Sequence, residues 1–386
     1  MRLSRAAAIA LILVGLASAC SLLNSLDGYS DGARPDASGD AGRDSASPPD
    51  ALVDAGADAR CVGPRWPPRP AVNGGGTTRL VQAFSSLEFT EEGNPQKPNS
   101  RGYDLDLTCT CPGPGSCKPP LGKSALCDLG TGVDNAAGDF FVSVVNLSGR
   151  VAGVTASIRT GEEGVALRIR NYNDRPDDDE VEFSIFLSYG LEGVQIRTPP
   201  PTPPRFDGTD RWTLDPRALV GGGAGPDGGS DPIPLITDSK AYVAGGVLVA
   251  RLDSEVRIGI YRLPVVGGMI TGTLKKKAGG YAIDDGILVG RLPTSRLLTS
   301  FESVRSPLEP GLFLCGDSGV YRDIKGKICD TVDILTDITA DNTAAPCDAL
   351  SFALRFTSSP AELGSVYEPA PPAKPCGEAW SDSCPK

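Results

Sequence analysis

Val165-Ala166-Leu167-Arg168-Ile169-Arg170, followed by Val181-Glu182-Phe183-Ser184-Ile185-Phe186-Leu187-Ser188-Tyr189, decides the fold class. Val165, Leu167 and Ile169 alternate with Ala166, Arg168 and Arg170. Val181, Phe183, Ile185, Leu187 and Tyr189 alternate with Glu182, Ser184 and Ser188. A period of two puts one set of side chains on a buried face and the other toward water, so two half-buried strands joined by a loop are expected. With the loop centred on Arg175, Ile169 faces Val181, Leu167 faces Phe183, and Arg168 and Arg170 face Glu182 and Glu180. Each such charged pair contributes about 0.2–1 kcal/mol and helps to set the register.

The hairpin loop, Asn171 to Asp179, places Tyr172 among the oxygens of Asp174, Asp177 and Asp178. Loops on a rigid scaffold carry binding sites, and acidic hairpin turns look the same without one. Beyond the Pro-rich connector Thr198 to Pro204, Trp212 sits beside Asp207 and Asp210. Tyr172, Asp177, Asp178 and Trp212 are therefore the candidate ligand-binding residues, with the aromatic rings stacking on a sugar face. The alternative is that Trp212 fills core. Glu180 and Glu182 raise glycoside hydrolysis, which needs two closely spaced carboxylates; pairing with Arg168 and Arg170 would depress their pKa values, the wrong direction for a general acid.

Strand-like runs continue at Lys240 to Leu252, Glu255 to Tyr261 and Val265 to Leu274, and Lys275-Lys276-Lys277 before Gly279-Gly280 reads as a hairpin turn. Val220 to Pro234 reads as a Gly- and Asp-rich loop. Leu80, Val81, Phe84, Leu87 and Phe89 open the domain, and Ser351 to Phe356 alternates again and returns a strand to the sheet. Helical spacing is confined to three places: Phe140 to Ile158, ended by Gly161, with a strand the alternative over Phe140 to Leu147; Leu297 to Phe301 behind Thr294; and Tyr321, Ile324 and Ile328. Short alternating strands, 47 glycines and 34 prolines imply a mainly β chain. The expected fold is a β-sandwich with a few edge helices and several disulfides, similar in pattern to the concanavalin-like or jelly-roll architecture.

Between the opening strand and the first helix, Asp104 and Asp106 precede the cysteines Cys109, Cys111, Cys117 and Cys127, and Asp134 and Asn135 follow them. Oxygen ligands in two segments clamped by disulfides suit calcium, so Asp104, Asp106, Asp134 and Asn135 form a candidate metal site. The competing reading has Asp134 or Asn135 capping the helix and the aspartates facing water. Cys315, Cys329 and Cys347 form a second cysteine group, and Cys376 and Cys384 a terminal pair. Histidine is absent from the chain. That removes Ser-His-Asp and Cys-His chemistry and histidine metal ligation. Gly316-Asp317-Ser318-Gly319 resembles the nucleophile motif of trypsin-like proteases, but Ser318 has no histidine base and reads as a turn beside Cys315. A net charge of −11 argues against nucleic acid as a partner.

The chain starts with Arg2 and Arg5, an apolar run from Ala6, and Leu16-Ala17-Ser18-Ala19-Cys20. The apolar run is short of the about 20 residues that span a bilayer. The junction resembles the lipobox of bacterial lipoproteins. The resemblance implies cleavage before Cys20, acylation of Cys20 with palmitate-type chains, and display from the outer membrane, on its periplasmic or outer face. Discounting Cys20, ten of the eleven cysteines remain, an even number that in an oxidising compartment implies five disulfides. Residues 21–60 are rich in Asp, Ala, Gly, Ser and Pro and are too poor in apolar residues to fold, similar in composition to the tethers of myxobacterial surface lipoproteins. As a flexible coil this tether spans ~35 Å on average.

The expected organisation is a signal peptide (1–19), a disordered tether (20–60), a β-sandwich (61–300) and a Cys-containing α/β extension (301–386). The expected function is a membrane-anchored envelope lipoprotein that binds glycan or an envelope protein. The alternatives are a structural lipoprotein without a small ligand and, behind both, a glycoside hydrolase.

Overall fold

A computed structural model describes residues 63–385, apart from 73, 112, 143–149, 194–201, 224–230, 254, 259–262, 278, 305–312, 316–318, 368–374 and 378–379. Cys20, the expected leader and tether, and Ser318 lie outside the described residues, as does the centre of the loop Val220 to Pro234. Residues Ala59–Lys386 belong to one compact unit.

In chain order the strands are β1 (Thr78–Glu88), β2 (Thr90–Glu91), β3 (Asn94–Pro98), β4 (Gly164–Tyr172), β5 (Asp178–Ser188), β6 (Arg211–Leu214), β7 (Ile236–Ala244) and β8 (Val247–Leu252). They continue with β9 (Val256–Ile258), β10 (Leu263–Lys277), β11 (Gly280–Pro293), β12 (Ala349–Pro360) and β13 (Glu362–Val366). The helices are α1 (Ala136–Phe140), α2 (Arg150–Thr160), α3 (Thr294–Ser300) and α4 (Gly319–Asp330).

Eight strands in the order β11-β12-β1-β4-β5-β7-β8-β10 form a sheet that closes on itself, because β10 also pairs with β11. The expected sandwich is thus corrected to a closed antiparallel barrel. Period-two alternation is common to both architectures; what separates them is which edges meet. Here β10 and β11, of 15 and 14 residues, carry register breaks at Val266/Met269 and Thr271/Leu274, and β11 carries another against β12 at Ile283/Gly286. Such bulges bend long strands, so β10 meets β8 along one edge and β11 along the other.

An eight-stranded barrel is narrow enough for side chains to fill. The interior holds Phe84, Leu167, Phe183, Leu248, Ile270 and Phe356 among a larger apolar cluster, with the Phe84 and Phe356 rings stacked at 4.4 Å. Smaller clusters lie on the outer wall. One is built on Ala166 and Phe186 and covered by Leu214 and Leu219; another sets Trp212 against Ala83. Trp66 and Tyr103 cover a third, on Val249, Met269 and Val289.

The β4–β5 hairpin forms as expected but two residues out of the expected register. Ile169 faces Phe183, Leu167 faces Ile185, and Arg170 faces Glu182 with an ion pair of 3.5 Å. A two-residue shift keeps every side chain on its own face, so the apolar pattern cannot resolve it. Arg168 is buried on the outer wall and binds Asp231 Oδ1 and the Pro232 carbonyl, both at 2.9 Å.

Residue 300 is not a structural boundary, because β12 lies between β11 and β1 and completes the barrel. α1 is capped by Asn135, whose side chain accepts from Gly138 N, and Gly161 behind α2 adopts φ +77°. Thr294 opens α3, with Pro293 in the cap position, and α4 buries Tyr321, Ile324 and Ile328. Disulfides join Cys111–Cys127, Cys117–Cys347, Cys315–Cys376 and Cys329–Cys384, and Cys109 is also oxidised. Cys376 and Cys384 therefore do not pair with each other; each ties the tail to the body. Among the described residues no helix is long and apolar enough to cross a membrane.

Candidate functional site

Two places on the barrel gather polar chemistry. The first is at the β4–β5 tip. Asn171 and Asp174 both take φ +62°, which folds the loop back so that Asp178 becomes its centre. The buried Asp178 carboxylate accepts from Gly75 N (2.8 Å), Asn173 N (2.7 Å) and Glu180 N (3.0 Å), while Asp179 Oδ1 accepts from Gly74 N (2.6 Å). These bonds dock the strap 74–77 on the hairpin. Between strap, hairpin and β7 an open cleft of about 800 Å³ is lined by Arg69, Gly75, Asn171, Asp179, Glu180 and Lys240. Arg69 lies over the Tyr242 ring, 4.7 Å from its centroid, and donates to the Asp179 and Lys240 carbonyls. Among the described residues neither the Lys240 ammonium nor the Glu180 carboxylate has an ion-pair partner.

The expected aromatic platform is not there. Tyr172 is 3% exposed, part of the interior cluster, with its hydroxyl on the Arg175 carbonyl at 2.9 Å; burial raises its pKa to about 12. Trp212 is fully buried on the outer wall under Phe206. Neither ring presents a face to a sugar. Asp178 spends its oxygens on backbone amides, and Asp177 accepts from Gly245 N at 2.8 Å on the exposed side of the same tip. The acidic loop thus builds one wall of a cleft, whereas the two aromatics are core.

The second place is the outer wall beside β12. Asp104, Asp106 and Asp134 are all buried, and each offers a carboxylate oxygen within 4.8 Å of the others. Thr108 N donates to Asp104 Oδ1 (3.1 Å) and Asp106 Oδ1 (2.8 Å), and Leu105 N donates to Asp134 Oδ2 (2.6 Å). Burial pushes the Asp106 carboxyl up to about 6. Burial, with the charges of Asp106, Asp333 and Asp128 behind it, pushes Asp134 up to about 9. Burial likewise raises Asp104, Asp128 and, to about 7, Asp333, which holds Ser351 N at 2.7 Å.

Asn135 does not belong to this set. Its Oδ1 accepts from Gly138 N (3.1 Å) and Ala353 N (3.0 Å), and its Nδ2 donates to the Asn99 carbonyl (2.9 Å). Both lone pairs of the amide oxygen are used. The two readings of this segment therefore divide by residue: Asn135 is the helix cap and Asp134 the acid.

Known protein families, curated proteins and solved structures contain no match to this chain. Asp128, Asp333 and Ser116 were not expected at the acid cluster, nor Arg69 and Lys240 at the cleft. Asp128 reaches the cluster through its neighbour Cys127, paired with Cys111, and Asp333 arrives on the segment that leads into β12. The one sequence signal that pointed to Asp128 was its place beside a cysteine, and it needed the pairing to be read.

Proposed function

We propose that the protein is a lipid-anchored lipoprotein of the bacterial cell envelope, held in the outer membrane through Cys20, whose barrel is a glycan-binding module. The observation that carries this reading is the cleft at the β4–β5 tip. Its lining mixes donors (Arg69, Asn171, Lys240) with acceptors (Asp179, Glu180), and two of these charges are left without ion partners among the described residues. Sugar hydroxyls donate and accept at once and suit such a lining. With the aromatic rings buried, recognition rests on hydrogen bonds without stacking. The lipobox at Leu16 to Cys20 and the oxidised cysteines support the envelope setting.

The test is glycan-array binding of the full chain in detergent, compared with Glu180→Gln and Lys240→Ala. Binding that both variants weaken about tenfold or more, the size of losing one charged hydrogen bond, supports the cleft as the recognition surface. Absence of binding, or binding indifferent to both variants, moves the protein to a structural envelope role.

A further inference from the structure

We propose that Asp104, Asp106 and Asp134 hold a calcium ion on the outer wall of the barrel, with Ser116 Oγ as a further ligand. This site is separate from the cleft, and its test does not depend on glycan binding.

Geometry comes first. Calcium takes oxygens at 2.3–2.6 Å, so two ligands on opposite sides of one ion stand ~4.8 Å apart. The three carboxylates offer oxygens that all lie within 4.8 Å of one another, no more than the span across one calcium sphere. The magnesium sphere, at 2.0–2.1 Å, is smaller and demands near-ideal octahedral geometry. The backbone orients the acids: Thr108 N donates to Asp104 Oδ1 and Asp106 Oδ1, and Leu105 N to Asp134 Oδ2, so each carboxylate is held by a main-chain amide.

An observation outside the acids points the same way. Ser116 is 1% exposed, and its hydroxyl sits beside the Asp106 carboxylate without forming a hydrogen bond of good geometry. A buried hydroxyl without a partner is costly, and an ion between it and the carboxylates satisfies it. Gly63 packs on the site so closely that a Cβ there would stand 2.3 Å from Asp104 Cβ. Disulfide Cys111–Cys127 ties the segment carrying Ser116 to the one leading to Asp134, and Cys117–Cys347 ties it to the approach of β12. The carboxylates are therefore held together by the fold, although burial and mutual repulsion oppose their charges. A dication removes that opposition.

The test is calorimetric titration of CaCl2 into the chelator-stripped full chain in detergent, paired with thermal melting and with terbium emission excited through Trp66. Trp66 lies 5.8 Å from the ring of Tyr103, the residue before Asp104. The expected result is one saturable site, a rise in Tm on adding calcium, and sensitised terbium emission that calcium displaces. Asp106→Asn and Asp134→Asn weaken binding tenfold or more, while the exposed hairpin variant Asp284→Asn leaves it unchanged. Should the aspartate variants fail to fold, Ser116→Ala serves in their place and weakens binding several-fold.

Three results overturn the proposal. One is the absence of heat, Tm shift and terbium emission at about 10 mM calcium, tenfold above the weakest extracellular-type sites. The second is calcium binding that survives the cluster variants unchanged. The third is magnesium binding as tightly as calcium.

Discussion

Asn135 and Asp134 are neighbours with opposite duties, and substitution separates them. Removing the Asn135 amide by Asn135→Ala leaves Gly138 N, Ala353 N and the Asn99 carbonyl without their partner in a buried place. The expected loss is about 2–4 kcal/mol of stability, read by urea unfolding, with the calcium stoichiometry unchanged. A change in stoichiometry would return Asn135 to the metal site. Trp212 is a second case in which an apparent ligand residue is packing. Its ring closes over Gly164, where a Cβ would lie 2.4 Å from Trp212 Cε3, and its indole N–H makes no hydrogen bond to the protein. Trp212→Ala is expected to cost about 3–5 kcal/mol. Trp212→Phe costs much less, having no hydrogen bond to lose, and neither substitution alters binding at the cleft. A folded Trp212→Ala protein of undiminished stability that has lost its ligand would reinstate the aromatic platform.

Elements are held to the barrel by contacts between chain segments far apart in sequence, and α4 shows how this responds to pH. Asp382 in the tail accepts from Lys325 Nζ at 2.5 Å and from the Tyr321 hydroxyl, beside the disulfide Cys329–Cys384. Burial works to raise the Asp382 carboxyl, but the bonds from Lys325 and Tyr321 outweigh it and hold the group below its ordinary 3.8. A depressed carboxylate pKa contributes stability that is present above the unfolded value and disappears as pH falls through the folded one. With both partners partly exposed, that contribution is about 0.5–1 kcal/mol. Asp382→Asn is thus expected to lower Tm at pH 6 and to converge with wild type as pH falls through the depressed folded pKa, where the wild-type carboxyl becomes neutral. A gap that persists undiminished as the pH is lowered into the acid range would show that the loss is one of packing. The helix itself was legible, since Tyr321, Ile324 and Ile328 repeat at helical spacing; its attachment was not, because the pairing of Cys329 with Cys384 follows no rule of spacing. The same division holds at both sites. Three of the four residues expected at the metal site, Asp104, Asp106 and Asp134, stand out as oxygens flanking cysteines, yet Asp128 and Ser116 join them through the folding of the cysteine loop between them and Asp333 from about 200 residues further on. The β4–β5 strands follow from alternation, while their register depends on Asn171 and Asp174 turning left-handed, which alternation does not encode.

At the scale of the molecule, closure makes the last strand but one indispensable. β12 pairs with β1 on one side from Gln82–Pro360 to Glu88–Arg355, and with β11 on the other from Ile283–Ser358 to Pro293–Ala349. It brings Leu350, Phe352, Leu354 and Phe356 to the interior, all at most 1% exposed. A sandwich ending near residue 300 would survive loss of everything beyond it. A barrel would not, because removing β12 opens two edges, strips the Phe84 ring of its stacked partner Phe356 and exposes the inner faces of β1 and β11 to water. Burying one large apolar side chain is worth about 1.5–3 kcal/mol, so four together equal much of the 5–15 kcal/mol that keeps a typical domain folded. A chain truncated after residue 348 is therefore expected to lose its cooperative thermal transition, to bind hydrophobic dyes and to be cut within β1 and β11 by limited proteolysis. Circular dichroism across a melt decides it: a sharp transition retained by the truncated chain would mean that the first seven barrel strands are stable as an open sheet, and the closure that β12 makes between β11 and β1 would then be incidental to the fold.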